Sequence, residues 1–393
     1  MSQFDEIVNR RGSGSYKWDS VADAEVLPLW VADMDFRTAP VVIEALQRRV
    51  NHGVFGYTSV DEAYYQALIN WFGARHHYLI NRDMVIYTSG VVPAISAIIK
   101  ALVQPGEGVI VQTPVYNCFF SSIRNNGCTI IESPLKRVEM DNHLFTYEMD
   151  FDHLEQCAAR DDVKMLLLCN PHNPAGRTWR HNELVRVAEI CRRHGVRVVS
   201  DEIHCELTMP GYEYVPYSIV DRQVNHDAEQ AVVCLSPSKA FNTAGLQIAN
   251  IICPDAEVRA SIDRAININE VCDVNPFGVE ALKAAYTPKG AAWLDELRQY
   301  LLDNYNFTRQ FLERELPQCK LTHLEATYLP WLDVRQFGMS TEEMEERMRD
   351  EAKVWLNCGE MYGCGGYLRI NIATSRSMLA EGLRRMTTWL KAL

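Results

Sequence analysis

Residues 164–176 read KMLLLCNPHNPAG, residues 196–204 read VRVVSDEIH, and residues 231–242 read AVVCLSPSKAFN. Each is a short apolar run that stops abruptly at turn-forming or polar residues. Met165–Asn170, Val196–Ser200 and Ala231–Leu235 are continuously apolar for most of their length, as strands buried on both faces are, which suits a mostly parallel sheet covered by helices. Similar runs occur at Met84–Thr88, Val109–Thr113, Thr129–Glu132 and Ile248–Cys253. Amphipathic stretches lie between them: Pro93–Val103 follows the first run and His181–His194 precedes VRVVS. The repeated strand–helix–strand order predicts an α/β doubly wound domain, with a seven-stranded, mostly parallel sheet and helices on both faces.

Working outward, the last third reads differently. Trp293–Leu316 and Ser377–Leu393 read as helices, and Thr327–Val334 and Tyr367–Ala373 as strands, which predicts a smaller α+β domain. With 393 residues the chain is long for one core, since domains usually hold roughly 100–200 residues. The expected division is residues 1–45 as an N-terminal segment packing with the small domain, 46–285 as the large domain and 286–393 as the small domain. There is no internal repeat and no low-complexity segment.

Composition narrows the function. Apolar residues are 47% and charged residues 23%, an ordinary globular balance. The net charge of −12 argues against a nucleic-acid surface, which would need a basic patch for phosphates. The N-terminus lacks an apolar signal region, and no run approaches the roughly 18–20 apolar residues of a membrane helix. The twelve Cys are scattered, with no CxxC pair, and several sit in strand-like runs. They read as reduced, buried thiols of a cytoplasmic protein rather than a disulfide framework or a zinc site.

In open α/β sheets ligands bind beyond the carboxyl ends of the strands. Gly90-Val91-Val92 follows the first run and opens a helix, where free N–H groups can meet a phosphate. Tyr116 follows the second and could lie flat on a planar ring. Two Asn-Pro steps around a turn, Asn170-Pro171 and Asn173-Pro174, place the Asn173 amide in a loop, where it could donate to a phenolate-type oxygen. Asp201 ends VRVVS, where a buried carboxylate needs a cationic or donor partner; His204 follows three residues later. Ser236 and Ser238 flank Lys239 with hydroxyls, and a desolvated Lys is a Schiff-base nucleophile. Each feature alone has an ordinary explanation: a strand-to-helix turn, a core aromatic, turn chemistry, a helix cap, a satisfied core His, a solvated Lys. Together they form the parts list of a pyridoxal-5′-phosphate (PLP) site, with Asn173, Asp201 and Lys239 spaced as successive strand ends require.

In order and spacing the chain resembles the fold-type I PLP enzymes, the aspartate aminotransferase superfamily. The resemblance implies the PLP-dependent transferase fold and a set of roles. Lys239 is the Schiff-base Lys, Asp201 the partner of the pyridine nitrogen, and Asn173 the contact of the ring oxygen. Ser236, Gly90 and Val91 hold phosphate, with Val92 and Ser238 beside them, Tyr116 stacks on the ring, and Arg369 clamps the substrate α-carboxylate, for which a planar fork is well suited. Tyr57 reaches the phosphate of a neighbouring subunit, which implies a homodimer with shared active sites. Finer motifs resemble the MalY/PatB-like C–S β-lyases: Trp30-Val-Ala-Asp-Met-Asp-Phe36, Gly56-Tyr57-Thr58, Thr113-Pro-Val-Tyr116, Asp201-Glu-Ile-His204, Pro237-Ser-Lys-Ala-Phe-Asn242 and Thr327-Tyr-Leu-Pro-Trp-Leu-Asp333. Two positions depart from the aminotransferase pattern. His204 stands where many aminotransferases have Tyr, and Gln247 where they often have a phosphate-binding Arg.

The resemblance implies an α,β-elimination. Lys239 acts as general base at Cα, the protonated ring nitrogen opposite Asp201 favours charge uptake, and a β-thiolate leaves, giving pyruvate and ammonia. Tyr116 is the candidate to assist the leaving group. The competing expectation is an aminotransferase, which shares the early steps. A non-enzymatic alternative is a regulator that binds a transcription-factor partner.

Overall fold

The computed structural model describes residues 2–141, 143–226, 229–268, 270 and 273–393. The apolar runs form one seven-stranded sheet. Its strands, in chain order, are β1 (Val85–Thr88), β2 (Gly108–Val111), β3 (Thr129–Glu132), β4 (Val163–Cys169), β5 (Arg197–Asp201), β6 (Val232–Leu235) and β7 (Ala249–Ile252). They lie in the order β1-β7-β6-β5-β4-β2-β3. All neighbours are parallel except β7, which is antiparallel to both β1 and β6.

The period-2 geometry of a strand explains why these runs are apolar throughout. Along β4, Met165, Leu167 and Cys169 enter one core while Leu166 and Leu168 enter another. Along β6, Val232 and Cys234 enter the first and Val233 and Leu235 the second. The helices Val91–Leu102 and Ala256–Asn267 supply Ile95, Ile98, Ile99 and Ile262 to the first core. His181–His194 supplies Leu184, Val187 and Ile190 to the second. Each such side chain, taken fully out of water, contributes roughly 1.5–3 kcal/mol before the entropy of ordering is counted.

A second sheet of six strands lies apart from the first. Its order is Asn357–Cys358, Tyr367–Arg369, Trp331–Asp333, Lys320–Thr322, Leu144–Glu148 and Lys136–Glu139. The last two form an antiparallel hairpin between β3 and β4, and Leu144 pairs in parallel with Leu321. The N-terminal residues Leu27–Pro28 pair in parallel with Val354–Trp355.

Several boundaries differ from the sequence expectation. The helix expected from Pro93 begins at Val91; Pro is tolerated in a first turn because its missing N–H has no intrahelical acceptor there. The helix expected from Trp293 begins at Pro288, where the Thr287 hydroxyl accepts from Gly290 N–H at 3.2 Å. The strand expected over Thr327–Val334 is confined to Trp331–Asp333. Thr327 has φ of +74°, a left-handed conformation incompatible with a ladder, and its N–H is spent on the Leu207 carbonyl at 2.9 Å. The strand expected over Tyr367–Ala373 stops at Arg369, because Ile370, Asn371 and Ile372 donate their N–H groups to the loop carbonyls of Pro330, Leu29 and Tyr328. The described cysteines are all free, and Cys272 lies outside the described residues.

Candidate active site

The carboxyl ends of β1, β4, β5 and β6 surround a cavity of about 190 Å³. Gly90, Val91, Val92, Tyr116, Asn173, Asp201, His204, Ser236, Ser238 and Lys239 all line it, together with Ala32 and Gln247. Arg369, on the second sheet, stands behind Asn173, with its Nη1 3.3 Å from the Asn173 Oδ1. Tyr57 is not brought to this cavity: its side chain is 97% exposed.

Lys239 follows β6 in a turn where Phe241 N–H donates to the Pro237 carbonyl and Thr243 N–H to the Ser238 carbonyl. Its Nζ donates to the Ala32 carbonyl at 2.6 Å. Burial, reinforced by the positive charge of Arg369, brings the amine down to about 8, against the pull of Asp33, Asp201 and Cys118. Near neutral pH about a tenth is therefore the free base, whereas a solvated Lys is almost wholly ammonium.

Asp201 and Glu202 are adjacent buried carboxyls with opposite situations. Glu202 is surrounded by internal donors: the hydroxyls of Ser200 (2.8 Å) and Tyr214, the Asn170 amide (3.2 Å) and Tyr217 N–H (3.0 Å). Burial nonetheless pushes it up to about 7. Asp201 points toward the cavity with one hydrogen-bond donor among the described residues, the Ile203 N–H at 3.1 Å. Burial pushes its carboxyl up to about 6. A carboxylate so placed is short of a donor or cation.

At the other end of the cavity, the first internal bond of the helix Val91–Leu102 is Ala94 N–H to the Gly90 carbonyl. The N–H groups of Val91 and Val92 precede it, and Pro93 has none, which leaves donors for an anion. Ser236 Oγ is less free than its place in the motif suggests. It donates to the Ile248 carbonyl at 2.7 Å and accepts from Ser238 N–H at 3.1 Å, so its proton is already engaged. The hydroxyl of Ser238 carries no such internal commitment among the described residues.

Three more groups complete the lining. Burial raises the Tyr116 phenol far above its ordinary range, as do the neighbouring Cys118 and Asp201. His204 is held neutral by burial and by the charges of Lys239 and Arg369, and its Nδ1 has no partner among the described residues. The Arg369 Nε is likewise without a partner, although Nη2 donates to the Trp30 carbonyl at 2.9 Å and the guanidinium lies over the Tyr362 ring at 4.7 Å. Sequence reasoning assigned no role to Ala32, Tyr328, Asn357 or Tyr362. Ala32 and Tyr328 fell inside quoted motifs, but a backbone carbonyl as the functional acceptor leaves no mark on the identity of its residue.

The aminotransferase class I and II model matches residues 24–386. The chain belongs to this family. It is 40% identical over 389 residues to the cystathionine β-lyase PatB of Bacillus subtilis, covering 98% of each chain. Among solved structures it superposes on cystalysin from Treponema denticola, which contains a pyridoxal 5′-phosphate cofactor, with a TM-score of 0.93 and 34% identity over 100% of this chain and 99% of that one. It also superposes on the PLP-bound C–S lyase of Staphylococcus hominis, with a TM-score of 0.90 and 31% identity, covering 99% of each. The fold is thus the type I PLP-dependent transferase fold.

Proposed function

We propose that the protein is a PLP-dependent carbon–sulfur β-lyase that cleaves cystathionine or related S-substituted cysteines to a thiol, pyruvate and ammonia. The observation that carries this reading is one cavity that joins a desolvated amine, Lys239, to a buried carboxyl short of a donor, Asp201, beside a buried guanidinium, Arg369. The donor set fits the cofactor. A partly neutral amine suits covalent attachment of an aldehyde, Asp201 lacks the cationic N–H that a protonated ring nitrogen would provide, and the helix start offers N–H groups to a phosphate.

In this reading Lys239 would hold the cofactor and Asp201 would keep its ring nitrogen protonated. Asn173 and His204 would serve the ring oxygen and Tyr116 the ring. Gly90, Val91, Val92, Ser236 and Ser238 would hold the phosphate, with Ser236 contributing mainly to the shape of the turn. When bound, pyridoxal phosphate supplies the electron sink that makes the Cα proton removable. Arg369 holds the α-carboxylate in a bidentate grip and so fixes the orientation of the bonds at Cα. The Lys239 amine takes the Cα proton as general base, for which a value near 8 is well matched to neutral pH. The Cβ–S bond would then break with departure of a thiolate, which the Tyr116 hydroxyl would assist, and water would hydrolyse the released 2-aminoacrylate to pyruvate and ammonia.

The proposal extends to assembly, domains and setting. Residues 1–45 belong with the small domain of residues 286–393 around the large domain of 46–285; the Leu27–Val354 pairing supports this. Val54, Phe55 and Tyr57 are exposed together, as they would be if they packed on a second copy, with Tyr57 of the partner subunit reaching the phosphate. Free cysteines fit a reducing cytoplasm, and no helix among the described residues is long and apolar enough to cross a membrane. The names of relatives give the regulator alternative no support.

The test is cystathionine or an S-alkyl cysteine offered without any keto acid. Release of free thiol and stoichiometric pyruvate supports the lyase. Strict dependence on a keto-acid acceptor would instead establish the aminotransferase.

A further inference from the structure

Residues 30–36 form an irregular strap that reaches the cavity at Ala32 and whose carbonyls are taken by side chains from elsewhere in the fold. Arg369 and Asn357 donate to the Trp30 carbonyl at 2.9 and 3.1 Å. The buried Asn371 amide donates to the carbonyls of Val31 (2.5 Å) and Asp33 (2.6 Å), and its orientation is fixed because its own oxygen accepts from Ala373 N–H at 2.8 Å. Asn242 donates to the carbonyls of Met34 (2.9 Å) and Phe36 (2.8 Å) and accepts from Met34 N–H at 3.0 Å. Clamped on both sides, the Ala32 carbonyl points at Lys239.

That carbonyl has two donors. Lys239 Nζ reaches it at 2.6 Å and the hydroxyl of Tyr328 at 3.0 Å. Tyr328 is fully buried, and its ring meets His204 edge-on with centroids 6.4 Å apart. The strap therefore seats the amine and the guanidinium two residues apart, on Ala32 and Trp30.

Resting on the assignment of Lys239 as the reacting amine, we infer that Tyr328 is a positioning residue: its hydroxyl shares the Ala32 carbonyl with Lys239 and so limits the grip of that oxygen on the ammonium form of the amine. The physical reason is competition. A carbonyl stabilises an ammonium donor more than a neutral amine donor. A phenol occupying part of the same oxygen weakens that preference. The other groups facing Lys239 are Arg369, Asp33, Asp201, Cys118 and His204; Asp33 and Arg369 also act on Tyr328, and Tyr328→Phe keeps the ring that meets His204 and alters no charged group.

The test is Tyr328→Phe, which removes one hydroxyl and keeps the buried ring. In cofactor-free protein, acylation of Lys239 by an amine-directed anhydride, followed across pH by peptide mass spectrometry, should show the titration of Lys239 displaced upward by about half to one pH unit, the scale of one hydrogen bond. In the holoenzyme the acid limb of kcat should move up by the same amount while KM for the S-substituted cysteine stays unchanged. An unmoved Lys239 titration, or a loss of kcat that raising the pH does not recover, overturns the inference. So does a rise in KM matched only by a lower thermal midpoint, which is what a purely structural role would give. Borohydride reduction of both holoproteins separates this from the underlying assignment. A label on Lys239 with no titration change sinks the role of Tyr328 alone, whereas no label on Lys239 sinks both.

Discussion

Replacing Asp201 by Asn should make the cofactor-free protein more stable while disabling the enzyme. Asp201 is 4% exposed and has one donor, so burial lifts its carboxyl from 3.8 to about 6. That rise corresponds to about 3 kcal/mol against the charged form. The folded carboxyl keeps its proton up to about pH 6, whereas the unfolded one releases it near 3.8. The folded state thus binds more protons in that window, so stability falls as pH rises through it, and the full cost is present above about pH 6. Asn has nearly the same shape, can still accept from Ile203 N–H, and carries no charge. In cofactor-free protein at pH 7.5 its urea midpoint should lie above that of the natural chain by the equivalent of up to about 3 kcal/mol, and the gap should close toward pH 4. With cofactor bound, the order should reverse, because the natural carboxylate then gains the cationic partner it lacks. Activity of the Asn variant should fall by roughly 100-fold or more, the scale of a lost charge-assisted contact made at the reacting ring. A stability difference that is absent, of opposite sign or independent of pH would refute the claim that this buried carboxylate is short of donors.

Arg369→Lys should raise KM and lower kcat/KM by about 10²-fold, because an ammonium cannot reproduce the bidentate grip and would leave the Asn173 oxygen short of its donor; steady-state kinetics with an S-alkyl cysteine measure it. Tyr57→Phe should weaken PLP binding by roughly 10-fold, the equivalent of one hydrogen bond to phosphate, without lowering the stability of the isolated fold, since the residue is 97% exposed. Equilibrium titration with PLP and sedimentation check both parts, and an unchanged PLP affinity would remove Tyr57 from the site.

Much of this arrangement was legible in the sequence because it rests on local rules. Continuous apolar runs marked the seven strands to within a few residues, since both faces of a covered sheet leave no room for polar alternation. The residues after those runs marked the cavity, since the topology collects strand ends there. Features set by distant pairing were not legible. The hairpin Lys136–Glu148 lies between two strands of the large sheet, yet pairs with Lys320–Thr322 of the other. Nothing local announces such a partner. The early end of the strand at Arg369 and the left-handed Thr327 were hidden for the same reason, because backbone bonds to loops override the propensity of Ile and Thr to extend. The strap over residues 30–36 was visible only as a motif, because its work is done by carbonyl oxygens. Ser236 shows the converse limit: its position in the motif was clear, but the commitment of its hydroxyl to the Ile248 carbonyl needed the fold.

Everything proposed for the site depends on the amine of Lys239 carrying the cofactor. Purified protein saturated with PLP should be reduced with borohydride, digested and mapped by mass spectrometry. A single pyridoxyl adduct is expected on the peptide containing Lys239, lost in Lys239→Ala. An adduct on another lysine, or none at all, would contradict it.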